Sequence, residues 1–280
     1  MAFRTVTIVG VGLIGGSLGL ALRRRGFEGR IVGVSAPERL AAAVERGAVD
    51  CGAPLDEAVA AADLVFLAQP IDRLLRELPE VAQAARPGAL VTDAGSTKGE
   101  IVRRAGELFG DGAQFLGGHP MAGKAGRGVE IADPDLFQGA VWVVSPQRPE
   151  ELETPPAREF LRWVERFGAR PLTISAQEHD QITAWTSHLP QAVSTALAAA
   201  LAERFPDGAA FEIAGGGLRD TTRLAESAFE VWAPIFRTNA AAVDAALAAL
   251  TAQLERFRRE LRSQDLAVLF ERAQFFREKL

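Results

Sequence analysis

The chain has 280 residues, 48% of them hydrophobic and 24% charged, with a formal net charge of −5. That length suits two domains of ordinary globular composition, and the acidic balance, which no basic run is long enough to reverse, argues against a nucleic-acid or membrane-surface partner. A single cysteine, Cys51, forms no internal disulfide, which fits a reducing, cytoplasmic setting.

Thr5 to Leu22 are uncharged and largely apolar, and three arginines follow. Length alone suggests a membrane span. The glycines at turn-like spacing and the β-branched start read instead as strand, loop and helix, and a signal peptide would carry its positive charge first. "VTIVGVGLIGGSLGLALRRRG" holds Gly10, Gly12 and Gly15 as G-x-G-x-x-G between that strand and helix, with Gly26 as the terminator. The first glycine permits a tight turn, the second lets backbone approach a pyrophosphate, and the third packs helix on strand. The helix N-terminus then faces the anion. With Leu13 and Ile14 these residues make the expected dinucleotide cradle.

The acid that usually ends the second strand is absent; Ser35 stands there, about 20 residues past Gly15. Serine neither holds a ribose 2′-hydroxyl strongly nor repels a 2′-phosphate, and Arg39 is within reach of one. NAD and NADP are therefore both open as the cofactor.

Apolar or β-branched runs recur at Thr5–Val9, Arg30–Val34, Leu64–Ala68, Leu90–Thr92, Gln114–Leu116 and Val141–Val144, with helical stretches between them. This is the pattern of βαβ units, and predicts a doubly wound, mostly parallel sheet of the Rossmann kind. A Pro- and Glu-rich connection, "SPQRPEELETPP", precedes a short helix near Ala157–Phe167 and a last strand-like "ARPLTIS". The expected domains are 1–173, dinucleotide-binding, and 174–280, all α-helical.

Ligands of doubly wound sheets bind beyond the carboxyl ends of the strands. Three loops qualify: "AQPID" with Gln69 and Pro70, "DAGSTKGE" with Ser96, Thr97 and Lys98, and "GGHPMAG" with His119. An imidazole beside a nicotinamide is the usual base for a hydroxyl proton as hydride leaves carbon. Ser96 is the expected partner fixing its tautomer. On bare sequence, His119 packing in a turn is the alternative.

Ser175 and Glu178 have capping-box spacing and open the helical half. Ile182, Trp185, Leu189, Val193 and Leu197 recur at helical spacing, and Pro190 should kink that helix. His179 and His188 fall on opposite sides of a straight helix, so one pocket should not hold both. His188, nearer the kink and on the Trp185 face, is the better candidate. "GGGLRDTTRLAES" offers Arg219 and Arg223, which share a helix face and suit a carboxylate; a solvated charged helix start is the alternative. Val243, Leu247, Leu250, Leu254, Phe257 and Leu261 form an a/d stripe, read as a subunit interface ahead of core packing.

"GVGLIGGSLGLAL", "DAGSTKG", "GGHPMAG", "EHD…SHLP" and "GGGLRDTTRLA…W", in this order, resemble the prephenate/arogenate dehydrogenase (TyrA) family of tyrosine biosynthesis over roughly residues 4 to 240. The resemblance implies a Rossmann domain followed by a helical dimerisation domain, a homodimer, and NAD(P)-dependent oxidative decarboxylation of a small anionic cyclohexadienol. It implies that His119 polarises the substrate hydroxyl and that Ser96 orients His119 and the nicotinamide. Arg223 would hold the ring carboxylate, Asp220 and Trp232 would shape the pocket, and no metal is expected. Two departures stand out. Many relatives carry a small hydroxyl residue and a glutamate where Lys124 and Ala125 stand, and a histidine where Gln191 would lie near the substrate side chain. No chorismate mutase segment or appended ACT domain is expected.

A β-hydroxyacid or 6-phosphogluconate-type dehydrogenase would share the two halves but use a helical-domain lysine; no lysine lies between Lys124 and Lys279. A non-catalytic NAD(P)-sensing module would keep the glycine fingerprint without needing His119 or Arg223.

Overall fold

A computed structural model describes residues 3–110, 112–124, 126–206, 208–263 and 265–279, with the backbone alone at 209 and 210. The strands are β1 Thr5–Val9, β2 Arg30–Val34, β3 Cys51–Gly52, β4 Leu64–Leu67, β5 Leu90–Asp93, β6 Gln114–Pro120, β7 Val141–Ser145 and β8 Arg170–Thr173. Between them run α1 Leu13–Arg24, α2 Pro37–Glu45, α3 Leu55–Ala60, α4 Ile71–Ala84, α5 Gly99–Leu108 and α6 Pro155–Arg166. Thereafter the chain is helical: α7 Ala176–Thr183, α8 Leu189–Arg204, α9 Ala209–Glu212, α10 Gly216–Thr222, α11 Phe229–Thr238, α12 Ala240–Arg259 and α13 Leu266–Arg277. Among the described residues no helix is long and apolar enough to cross a membrane.

The strands form one sheet in the order β3-β2-β1-β4-β5-β6-β7-β8. Its first six positions are those of a Rossmann sheet, with the reversal of strand order beside β1. Alternate side chains point to opposite faces, and each face has its own core. Val6, Ile8, Phe66, Leu116 and Trp142 pack with Leu18 of α1 and Phe160 of α6. Val9, Val65, Leu67, Val91 and Phe115 pack with α4 through Leu74 and Leu78, with α5 through Ile101, and with Ile235 of α11. The strands read as continuous apolar runs because both faces are covered.

Two features depart from the expected pattern. β3 is only a two-residue strand, too short for a hydrophobic period to announce it. β6 continues through Pro120, so His119 lies within a strand, not in a loop after one. Residues 114–116 pair parallel with β5, and residues 117–120 pair antiparallel with β7, His119 opposite Val143. The antiparallel partner converts a Gly- and Pro-rich stretch that reads as a turn into the strand's second half.

By its contacts the chain divides into two compact units, Met1–Thr183 with Ser227–Asn239, and Ala184–Glu226 with Ala240–Leu280. Helices α7 and α11 thus belong with the sheet, although both follow residue 173. In the helical unit, Ala184–His188 form a π-helical turn, and Pro190 sits in the first turn of α8 directly after it.

Candidate active site

The glycine fingerprint lies at the carboxyl end of β1, at the switch point of the sheet. Gly10 has φ +95°, and a Cβ there would meet the Ala68 backbone at 2.8 Å. A Cβ on Gly15 would fall 2.2 Å from the Gly10 oxygen, so α1 can sit this close to the strand only with glycine. Gly12 differs: nothing lies within 4 Å of its would-be Cβ. Neighbouring protein therefore does not demand glycine at Gly12, whereas a ligand approaching the N-terminus of α1 does. The loop fits a dinucleotide pyrophosphate.

Around this loop stand the other expected cofactor residues. Leu13 and Ile14 open α1, and Ser35, half-buried, immediately follows β2. Arg39 is exposed on α2. Gln69 is 8% exposed; its Nε2 donates to Glu77 at 2.5 Å, and its Oε1 is buried without a partner among the described residues. Pro70 is the N-cap of α4. Ser96 is half-buried between β5 and α5, and the Thr97 hydroxyl lies 2.7 Å from that of Thr238 on α11.

His119 is aimed by its strand neighbours. A Cβ on Gly118 would fall 2.6 Å from the Asp93 oxygen, so β6 approaches β5 this closely only with glycine there. Gly118 N donates to Asp93 Oδ1 at 2.9 Å, and Gly95 N to Asp93 Oδ2 at 2.8 Å. Lys98 Nζ also bonds Asp93, and both side chains are 0% exposed. Burial pushes the Lys98 ammonium below its ordinary range, opposed by Asp93 and then Asp180. So deep an ion pair needs further hydrogen bonds on its members, and the Asp93 carboxylate has them from Gly95 N and from Gly118 N, the backbone just before His119.

The nitrogen Nδ1 of His119 lies 2.8 Å from Nε2 of His179. His179, 1% exposed, reaches Asp180 Oδ1 with its own Nδ1 at 2.8 Å. Asp180 also accepts from Lys98 N at 2.7 Å and Gly99 N at 2.8 Å, capping α5 in place of a local side chain. Helix α7 is held for this task. Ser175 Oγ accepts from Glu178 N at 3.1 Å, one half of the expected capping box. Asn239 Nδ2 donates to the Asp180 carbonyl at 2.7 Å.

Sequence reasoning put His188 ahead of His179, and in the sheet unit it is His179 that meets His119. It also passed over Asp180, Asp93 and the burial of Lys98. Asp180 had a signal, since it adjoins His179 in "EHD"; the buried lysine had none, because its charge reads as surface.

In the helical unit His188 is buried. Gln191, 3% exposed, donates from Nε2 to the Leu224 carbonyl at 2.8 Å and to Thr195 Oγ1 at 3.1 Å. Ser194 Oγ accepts from Ala225 N at 3.1 Å. Helix α8 thus braces the 3₁₀ turn Arg223–Glu226 that begins at Arg223. Arg219 and Asp220 are exposed on α10, and Arg223 is exposed where α10 ends. Trp232, in the sheet unit on α11, is half-buried against the α4–α5 core. Lys124 pairs with Asp133 and holds that carboxyl below its ordinary range; Ala125 lies outside the described residues.

Residues 18–170 match the family model of the prephenate dehydrogenase nucleotide-binding domain, and residues 175–275 that of the prephenate dehydrogenase dimerisation domain. The chain belongs to the prephenate dehydrogenase family. A prephenate dehydrogenase of Lactococcus lactis subsp. cremoris is 35% identical over 84% of this chain, which spans 65% of that protein's length. Two solved structures of the family are similar throughout. The prephenate dehydrogenase of A. aeolicus in complex with hydroxyphenyl propionate and NAD+ has a TM-score of 0.92 at 30% identity, covering 100% of this chain and 99% of that one. Synechocystis arogenate dehydrogenase has a TM-score of 0.82 at 34% identity, covering 98% and 99%.

Proposed function

We propose that this chain catalyses the NAD(P)-dependent oxidative decarboxylation of prephenate or L-arogenate. The observation that carries the reading is a histidine held at the carboxyl side of a Rossmann sheet by buried partners, on the same edge as a glycine loop with room for a pyrophosphate. The A. aeolicus relative, solved with NAD+ and hydroxyphenyl propionate, supports both the cofactor and a hydroxyphenyl compound as ligand of the site.

Gly10, Gly12, Leu13, Ile14 and Gly15 would hold the pyrophosphate, Ser35 and Arg39 the ribose, and Gln69, Pro70, Ser96 and Thr97 the nicotinamide side. The nicotinamide, when bound, supplies the hydride acceptor. His119 takes the proton of the substrate hydroxyl as hydride leaves the ring carbon that bears it. The bond to the ring carboxylate then breaks, its electron pair makes the ring aromatic, and CO2 departs; the phenol oxygen recovers its proton from His119. Ser96 orients the reacting groups. Arg223 supplies the cation for the anionic substrate, and Asp220, Trp232, His188 and Gln191 belong to the substrate's surroundings, with His179 behind His119.

Kinetics with prephenate and L-arogenate, each with NAD and NADP, test this directly through the absorbance of the reduced cofactor. Turnover of at least one substrate is expected, and none with either would overturn the proposal. Ser35 in place of an acid, with Arg39 beside it in α2, favours tolerance of NADP. A preference for NAD in kcat/KM above about a thousandfold would remove that part.

The assembly we propose is a homodimer through the helical half, as the description of the matched family domain supports. Leu254 and Leu261 of the predicted stripe are 61% and 60% exposed, and Phe270, Phe275 and Phe276 are exposed as well. So much apolar surface is characteristic of an unmet partner face. Light scattering on the purified protein should give twice the chain mass, and a monomer would refute it.

A further inference from the structure

Hydrogen-bond chemistry along one line of side chains determines which nitrogen of His119 carries the lone pair. An Asp180 carboxylate offers only acceptors, so Nδ1 of His179, 2.8 Å from Oδ1, carries a proton. A neutral imidazole has one donor and one acceptor, so Nε2 of His179 accepts. The nitrogen facing it at 2.8 Å, Nδ1 of His119, must then donate. We infer that Asp180 and His179 are positioning residues for His119, holding it as the Nδ1–H tautomer with its lone pair on Nε2. The inference rests on the reading of His119 as the base, and it gives the tautomer-fixing role expected of Ser96 to His179.

The surroundings fit such a device. His179 and Asp180 are almost wholly buried, which strengthens their hydrogen bonds and gives their orientation few alternatives. The Asp180 oxygens are occupied by Lys98 N and Gly99 N as well as His179, so the carboxylate cannot turn away without uncapping α5. Thr183 Oγ1 donates to the His179 carbonyl at 2.9 Å, and Asn239 clamps the next carbonyl, fixing α7 on both sides of the imidazole. Asp180 from α7 bonds the His179 ring directly, while Asp93 of β5 and Lys98 at the start of α5 reach this cluster through the Gly118 and Lys98 backbone. Lys98 and Asp93 neutralise one another, leaving Asp180 as the carboxylate that sets the direction of the chain. The same carboxylate anchors both His179 and the end of the loop carrying Ser96 and Thr97. Base and loop therefore keep a fixed relation.

The protein has three histidines, so a 15N-histidine-labelled sample gives six imidazole nitrogens, few enough to assign. At alkaline pH, His119 should show a directly bonded proton on Nδ1 and none on Nε2, and His179 likewise. A proton on Nε2 of His119 would overturn the inference whether or not the enzyme turns over. Kinetics supply the second arm. His179→Leu removes the acceptor and should lower kcat on the order of a hundredfold with KM little changed, the kind of loss that follows a wrong tautomer. His179→Gln, which keeps an acceptor for His119 and a donor for Asp180 at similar spacing, should recover at least tenfold of that loss. Equal rates for the two variants would also overturn it. If the spectrum agrees but His119→Asn is fully active, it is the reading of His119 as base that fails, and the two failures stay distinct.

Discussion

Replacing His119 with asparagine should lower kcat by about two to four orders of magnitude, the usual span for loss of a general base. Asparagine keeps a hydrogen-bonding group of similar reach but cannot take up a proton, so the loss isolates proton transfer from packing. Its position in β6, paired with Val143 and preceded by the Gly118 contact to Asp93, depends on backbone that the change leaves alone. The glycine cradle is built from β1 and α1, so cofactor affinity should be almost unaffected. Stopped-flow turnover together with fluorescence titration of the reduced cofactor separates the two effects. A kcat within threefold of the parent would remove His119 from the chemistry.

Arg223→Ala should act on the other kinetic constant, raising KM by about ten- to a hundredfold, which is the loss of hydrogen bonds to a charged group. The direction follows from the reaction. The ring carboxylate is fully charged in the bound substrate and loses that charge as CO2 departs, so a guanidinium on it stabilises the ground state at least as well as the transition state. Removing it weakens binding while leaving kcat nearly unchanged. Arg223→Lys should fall between, because an ammonium keeps the charge and loses the planar fork. An unchanged KM in the alanine variant would take Arg223 out of the substrate site. The brace beneath it predicts a subtler dependence: Gln191 and Ser194 hold the turn that begins at Arg223 through backbone groups only. They set where its guanidinium starts from without touching it.

Much of the sheet was legible because most of its strands are apolar or β-branched runs. β1 and β2 have the residues the apolar runs mark, and β4 and β5 differ from them by one residue. What failed was decided by partners distant in sequence. Gly117 to Pro120 are turn-forming by composition, and become strand because β7 returns antiparallel beside them. The histidine pair shows the same limit. That His179 faces His119 depends on α7 docking against α5 and β7, which no spacing within the helix reveals, and the π-helical turn after Thr183 breaks the single-helix geometry on which the comparison with His188 relied. His119 itself was legible because a histidine set among glycines after an apolar run is chemically conspicuous. Lys98 was not, because only the fold buries it.

The order of strands also governs how the molecule can be built during synthesis. After β1 and β2 pair, β4 to β8 each join the growing edge beside a strand already made, so the sheet can extend outward as the chain emerges. Helix α11 breaks that sequence. It returns to the sheet only after more than forty intervening residues of the other unit have been made. Asn239 and Thr238, which clamp the Asp180 carbonyl and meet Thr97, therefore arrive late. A nascent chain stalled before residue 227 would hold a sheet, a glycine loop and His119, yet lack the Asn239 latch on α7.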